Sequence, residues 1–313
     1  MLESLFVVAR QVGVLFLLMA VGFVCNRARV LSEKSVKGMV EVLMLVVTPC
    51  VIVHAFQRPF ETSLLQGLGW AVGISVLAHA AGILAASCFR MADRGRRSVL
   101  RFATTFSNAG FMGLPLEYAL LGSDGVFFGA VYVAMFNVVC WSWGLVTMGG
   151  SLKEIRTRTL FVNPGTVGIA CGLPFFIFSL QLPSVLNEPV KMLADLNTPL
   201  AMIVIGYYLA EARFEVVVRC GAAYVSAFLR LVAIPGIVLG VVWLCRPPDG
   251  TMAVALVTAA CAPVAALTTV FAAKYDRDVS LSVGLVSGTT LLSILTMPPI
   301  VGLAMWVFRV KGG

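Results

Sequence analysis

Arg101-Phe-Ala-Thr-Thr-Phe-Ser-Asn108-Ala-Gly110-Phe-Met-Gly113-Leu-Pro115-Leu116 is apolar enough for a membrane, yet poorly suited to crossing one as a single unbroken helix. Proline removes a backbone donor and clashes with the preceding turn, and two nearby glycines weaken the helix further. Unwound main chain at membrane depth survives only where protein buries it or a wet cavity meets it. Ala262-Pro263-Val264-Ala265-Ala266 repeats the device, with Thr268 and Thr269 one turn on. If the two interrupted segments cross, their half-helix N-termini turn freed N–H groups and positive dipole ends toward one spot near the midplane. An anion is stabilised there without a buried cationic side chain. The competing reading keeps both helices whole and uses Pro115 and Pro263 only as kinks.

Composition sets the surroundings of these segments. Of 313 residues, 59% are hydrophobic and 12% charged, where soluble domains carry about 25% charged residues. A mean hydropathy of +0.96 leaves too few polar groups to cover a water-facing surface. At about 20 apolar residues per helix, the chain fills nine or ten spans. Apolar runs place them near residues 4–26, 38–57, 66–89, 99–120, 125–148, 161–182, 189–210, 220–244, 251–272 and 279–308. The expected fold is an all-α polytopic membrane protein of ten transmembrane helices. The first run starts with Glu3 and lacks a basic leader, so it reads as a membrane helix rather than a signal peptide.

Odd-numbered connectors hold 17 of the 23 Lys and Arg residues. The positive-inside rule then puts both termini outside the cytoplasm of a cell (inner) membrane. The net charge of +8 is scattered rather than gathered in a basic arm, so nucleic acid is not an expected partner. Arg230, several residues into the eighth span, is expected to snorkel to the cytoplasmic interface, with a substrate-facing role as the alternative. The eight cysteines show no CxxC spacing and read as small core fillers. No cofactor is expected.

Features recur at a nearly constant offset: Pro49 and Pro199 are 150 residues apart, Pro115 and Pro263 are 148 apart, and Asp124 and Asp276 are 152 apart. Five spans per half would insert the second half upside down. Residues 1–148 and 161–313 therefore read as inverted repeats joined by a short cytoplasmic linker at 149–160.

Asn108 offers both donor and acceptor groups, to a carboxylate or to a neighbouring backbone gap. With Ala109, Gly110, Gly113 and Pro115 from the first break and Ala262, Pro263 and Val264 from the second, it makes up the expected substrate site. Asn137 in span five joins this set or, alternatively, bonds helix to helix. Glu41, Glu117, Asp195 and Asn197 are expected at interfaces rather than as ion ligands. His54 and His79 titrate near neutrality and either pack or carry a coupled proton. Two histidines do not suggest a metal centre.

These residues carry a resemblance. Thr48-Pro49 with His54, Asn108 through Pro115-Leu116, Asn137 with Trp141, Ala201-Met202 with Gly206, and Pro263 through Phe271-Ala-Ala-Lys-Tyr275 make the chain resemble, over nearly its whole length, a bacterial member of the auxin efflux carrier family. The Asn-x-x-x-x-Gly-x-Pro element at 108–115 is the specific one. The resemblance implies a crossover of spans four and nine, a scaffold of spans 1, 2, 6 and 7, and a transport bundle of spans 3–5 and 8–10. It also implies a homodimer formed through the scaffold. Bacterial relatives are described as carriers of malate, malonate or similar carboxylates, and plant relatives as exporters of indole-3-acetate. Asn108, Pro115 and Pro263 would frame the carboxylate, with Asn137 nearby. Two departures stand out: the long cytoplasmic loop of many plant members shrinks to Gly149–Phe161, and position 137 is Asn where plant members resemble Gln.

The expected function is a secondary carrier of a small organic anion working in the lipid bilayer. Membrane potential could drive it, at about 2.3 kcal/mol per charge per 100 mV, and a coupled proton or sodium ion would serve as well. An anion channel on the same scaffold is one alternative, although no charge ring or carbonyl filter marks it. An intramembrane enzyme is the other, and it would need paired carboxylates or a His-bearing metal motif at membrane depth.

Overall fold

The computed structural model describes residues 1–151, 164–212 and 214–310. Helices fill it, because each main-chain polar group in an apolar stretch must find its partner within the same segment. In chain order these are α1 (Leu2–Arg27), α2 (Glu33–Phe56), α3 (Thr62–Ala86), α4 (Arg94–Thr105), α5 (Ala109–Gly149) and α6 (Pro164–Ile177). Then follow α7 (Ser184–Ala210), α8 (Phe214–Val218), α9 (Gly221–Cys245), α10 (Gly250–Cys261), α11 (Leu267–Lys274) and α12 (Val279–Val307). Aspartates start three of them. Asp93, Asp249 and Asp278 accept the amides of Arg96 (3.1 Å), Thr251 (2.7 Å) and Leu281 (2.9 Å), satisfying first-turn donors of α4, α10 and α12.

Among the described residues, seven segments are long and apolar enough to cross a membrane: α1, α2, α3, α5, α7, α9 and α12. Helices α6 and α10 are apolar but shorter. The chain is a multi-pass membrane protein. α5 is a hairpin rather than a rod, because Gly122 takes φ 64°, a left-handed value that glycine adopts without strain. Across that turn the Glu117 carboxyl lies where a Cβ on Gly129 would be; on a straight helix these residues would stand about 18 Å apart. The expected boundary between spans four and five falls at this turn. Most of the linker expected at 149–160, from residue 152 on, lies outside the described residues, as do the first three residues of the expected sixth span.

Proline and π turns occur together. The wide turns Leu43–Val47, Ala109–Gly113 and Leu229–Ala233 are each followed, two residues later, by Pro49, Pro115 or Pro235. A π turn bonds each amide one residue further back, which takes the carbonyl that a proline ring would strike out of its way. The prolines therefore pass within continuing helices.

Two glycines bring α1 against the second half of α7. A Cβ on Gly22 would overlap the Ile203 carbonyl, and one on Gly206 would overlap that of Met19. This is the small-residue seam by which helices associate in lipid, where the hydrophobic effect between helices is absent. The half of α2 beyond Pro49 packs on α6, with Ile52 and Phe56 set against Gly168 and Gly172. α5 packs between α3 and α10, and α12 runs beside α1 and α10.

Candidate functional site

α4 stops at Thr105 because Phe106 turns extended (φ −104°, ψ 117°), and α10 stops at Cys261 because Ala262 does the same (φ −59°, ψ 145°). The two gaps meet. Asn108 N–H donates to the Pro263 carbonyl (2.7 Å) and Ala265 N–H to the Phe106 carbonyl (3.0 Å), forming an antiparallel bridge centred on Ser107 and Val264. Val264 N–H, turned away from that bridge, donates to the Thr289 hydroxyl of α12 (3.1 Å). The interrupted segments thus cross and hold each other by main-chain bonds. Pro263 sits inside its gap as expected. Pro115 does not mark the other gap, which lies seven residues earlier at Asn108, because the π turn at Ala109–Gly113 lets the proline continue the helix.

The helix ends at the crossing are unequal. On the N-terminal side, the amides of Ala109, Gly110 and Phe111 find no acceptor among the described residues, as first-turn amides do. Gly110 and Phe111 at the start of α5 are only half-buried, as are Ala266 and Leu267 at the start of α11. Asn108 is 5% exposed, and its Nδ2 has no partner. On the C-terminal side, Thr104, Thr105, Ala260 and Cys261 are buried, and a single side chain bonds the carbonyls of the first three. Arg230 Nη1 donates to Thr105 O (3.0 Å) and more weakly to Thr104 O (3.4 Å), while Nη2 donates to Ala260 O (2.6 Å).

Arg230 is fully buried, which corrects the expectation that it snorkels. Carbonyls do for it what interfacial water would have done. Its signal was available in the sequence as a cation five residues before Pro235, on a span otherwise apolar throughout.

The remaining candidates are dispersed. Ala109, Gly113, Pro115, Ala262, Pro263 and Val264 are buried at or just past the crossing. Asn137 lies on the returning arm of α5, donates to its own Val133 carbonyl (2.8 Å) and packs on Gly165 of α6. His79 is buried, with Nδ1 on the Ser75 carbonyl (2.7 Å), Nε2 unpartnered, and its ring near Tyr132 and Phe106. His54 lines a cavity of about 40 Å³ with Leu114, Tyr118, Asp195, Asn197 and Thr198, room for two or three waters. That cavity separates α2 and α7 from α5. Glu117 and Asn197, expected at interfaces, are instead buried, and neither Glu117 oxygen nor Asn197 Oδ1 has a partner. The hairpin at Gly122 folds Gly129 over Glu117, which water-facing placement would have prevented. Glu41 and Asp195 are exposed.

The family described as "membrane transport protein" matches residues 7–158 and 150–301 of the chain. The chain belongs to this auxin efflux carrier family. The transporter is also 26% identical, over 290 residues, to an "uncharacterized transporter" of Methanothermobacter thermautotrophicus (strain Delta H), covering 90% of this chain and 93% of that protein. Both matches point to transport rather than catalysis. They leave the crossing of the transporter's two broken segments as its most chemically distinctive feature.

Proposed function

We propose that the protein is a secondary carrier of a small organic anion, a carboxylate, which binds at the N-terminal ends of α5 and α11. The crossing of residues 106–108 with 263–265 carries this reading. Each helix N-terminus amounts to about half a positive charge, so two together match one carboxylate. Asn108, with an unpartnered amide donor beside bare main-chain amides, supplies directional bonds. The resemblance adds malate- or malonate-like acids as the substrate class.

The carrier works by alternating access, in which a bundle of α3–α5 and α9–α12 rocks against a scaffold of α1, α2, α6 and α7. The glycine seam of α1 with α7 and the packing of α2 on α6 support a scaffold, and the cavity between α2, α7 and α5 supports a dividing surface next to Pro115. Asn137, on α5 of the bundle and against Gly165 of α6 in the scaffold, would then lie on that dividing surface. The inverted repeat gains support from one more offset, His79 to Arg230, 151 residues apart on α3 and α9. Both termini lie outside the cytoplasm of the cell membrane on the positive-inside count, and the carrier assembles as a homodimer through its scaffold.

Thermal unfolding of detergent-purified protein against a set of dicarboxylates and aromatic acids tests the substrate class. A ligand at a hundredfold its Kd stabilises by about 2.7 kcal/mol. A shift with short dicarboxylates that Asn108→Ala removes, at an unchanged ligand-free midpoint, is the expected result. A shift that survives the substitution moves the site away from the crossing. Single-channel currents in a planar bilayer would replace the carrier with a channel.

A further inference from the structure

The guanidinium of Arg230 lies where two helices end. Half-helix C-termini at a crossover carry a negative dipole charge, and in cation-coupled carriers such ends help coordinate the ion. Two of them, at about half a charge each, require one positive charge. Here α4 and α10, of 12 residues each, both end against the same side chain. Arg230 bonds both ends at once, through Thr105, the last residue of α4, and Ala260, the last but one of α10. Among the described residues no carboxylate pairs with it, and the titratable groups that face it are Tyr132, Cys261 and His79. Dipole and fixed charge thus balance without a counter-ion.

We infer that Arg230 is the built-in counter-cation of the crossover, occupying the position a coupling metal ion would otherwise take, and that replacing it uncovers a binding site for a small monovalent cation. The inference rests on the reading of the crossing as the transport site. A planar fork reaches both helix ends at once, whereas an ammonium is a single point of charge. Arg230 is therefore a positioning residue. It fixes the carbonyl ends so that the amide ends stay aimed at the solute.

The test is thermal unfolding of wild type, Arg230→Lys and Arg230→Gln at constant ionic strength in choline, sodium or guanidinium chloride, the last at tens of millimolar. Wild type is expected to melt at one temperature in choline and sodium. Arg230→Gln should melt about 10 °C lower in choline, since it leaves buried carbonyls unpaired, and should recover part of that loss, saturably, with sodium or guanidinium. Arg230→Lys should fall between the two. A saturable sodium stabilisation of wild type overturns the inference, and so does a glutamine variant that melts like wild type or recovers with neither cation. If the glutamine variant does not fold, the lysine variant decides, and a midpoint equal to wild type in choline rejects the fork. None of these readings uses a carboxylate. A failed substrate screen would therefore sink the substrate class alone, and a failed cation response the role of Arg230 alone.

Discussion

The seam between α1 and α7 and the crossing of α4/α5 with α10/α11 both set main chain against main chain inside the membrane, by opposite means. At the seam the helices stay whole, and Gly22 and Gly206 omit the Cβ that would overlap a facing carbonyl. Main-chain hydrogen bonds there stay within each helix, and the nearest bond between the two is a side-chain one at their ends, from Asn26 to Glu211 (2.8 Å). At the crossing the helices stop, a few residues extend, and the two chains exchange bonds of 2.7 and 3.0 Å. The extension frees more polar groups than the exchange consumes: carbonyls on one side, which Arg230 takes, and amides on the other, which find no acceptor among the described residues. A seam can only pack. Unused main-chain polarity, and with it the ability to hold a charged solute, exists only where helices are broken.

The comparison breaks most easily at the seam. Gly206→Val places a branched side chain on the Met19 carbonyl, an obstacle without a rotamer to escape into. Overpacking costs about 1–3 kcal/mol where side chains can yield, and more is expected here. The unfolding midpoint in detergent should drop by about 10 °C or more, with little folded protein recovered. A midpoint within about 2 °C of wild type would mean that α1 and α7 stand farther apart than the seam requires.

A milder substitution probes the crossing itself. Thr289→Val keeps the shape of the side chain but removes the hydroxyl that accepts Val264 N–H at 3.1 Å. A buried amide left unpaired costs about 1–3 kcal/mol, so the midpoint should fall by a few degrees, and Thr289→Ser should restore it. If valine is neutral, the main-chain bridge alone holds the crossing.

How far the sequence could be read follows from the same physics. Prolines and glycines near 108–115 and 262–266 announced two interruptions, because helix breakers act locally. The exact gap in the first segment was hidden. Whether Pro115 breaks its helix depends on the π turn before it, and the helices packed on that turn, α7 and α10, come from the distant half of the chain. Arg230 was misread for a similar reason. A cation in an apolar run looks bound for water unless one knows that two helix ends, over a hundred residues apart in the chain for Thr105 and 30 for Ala260, converge on it. Glu117 was hidden by a fold-back that a single glycine with positive φ produces.

The smallest expected effect on stability concerns the boundary between the two regions. Arg58, in the connector after α2, pairs with Asp124 beside the α5 turn at 2.9 Å. The Asp124 side chain is 64% exposed, and Arg58 is also held by the Ala55 carbonyl (2.8 Å) and lies 4.5 Å from the Phe127 ring centre. Asp124→Asn should therefore change stability by no more than about 1 kcal/mol, as exposed pairs do. Its interest is kinetic. The pair ties α2 to α5, across the surface that must part if the bundle moves against the scaffold. If opening breaks the bond, the asparagine variant loses ground-state stabilisation that the transition state already lacks. Substrate exchange in proteoliposomes should then quicken by up to about fivefold, with the unfolding midpoint unchanged. Equal exchange rates in both proteins would mean that the two helices travel together, and that the dividing surface runs elsewhere.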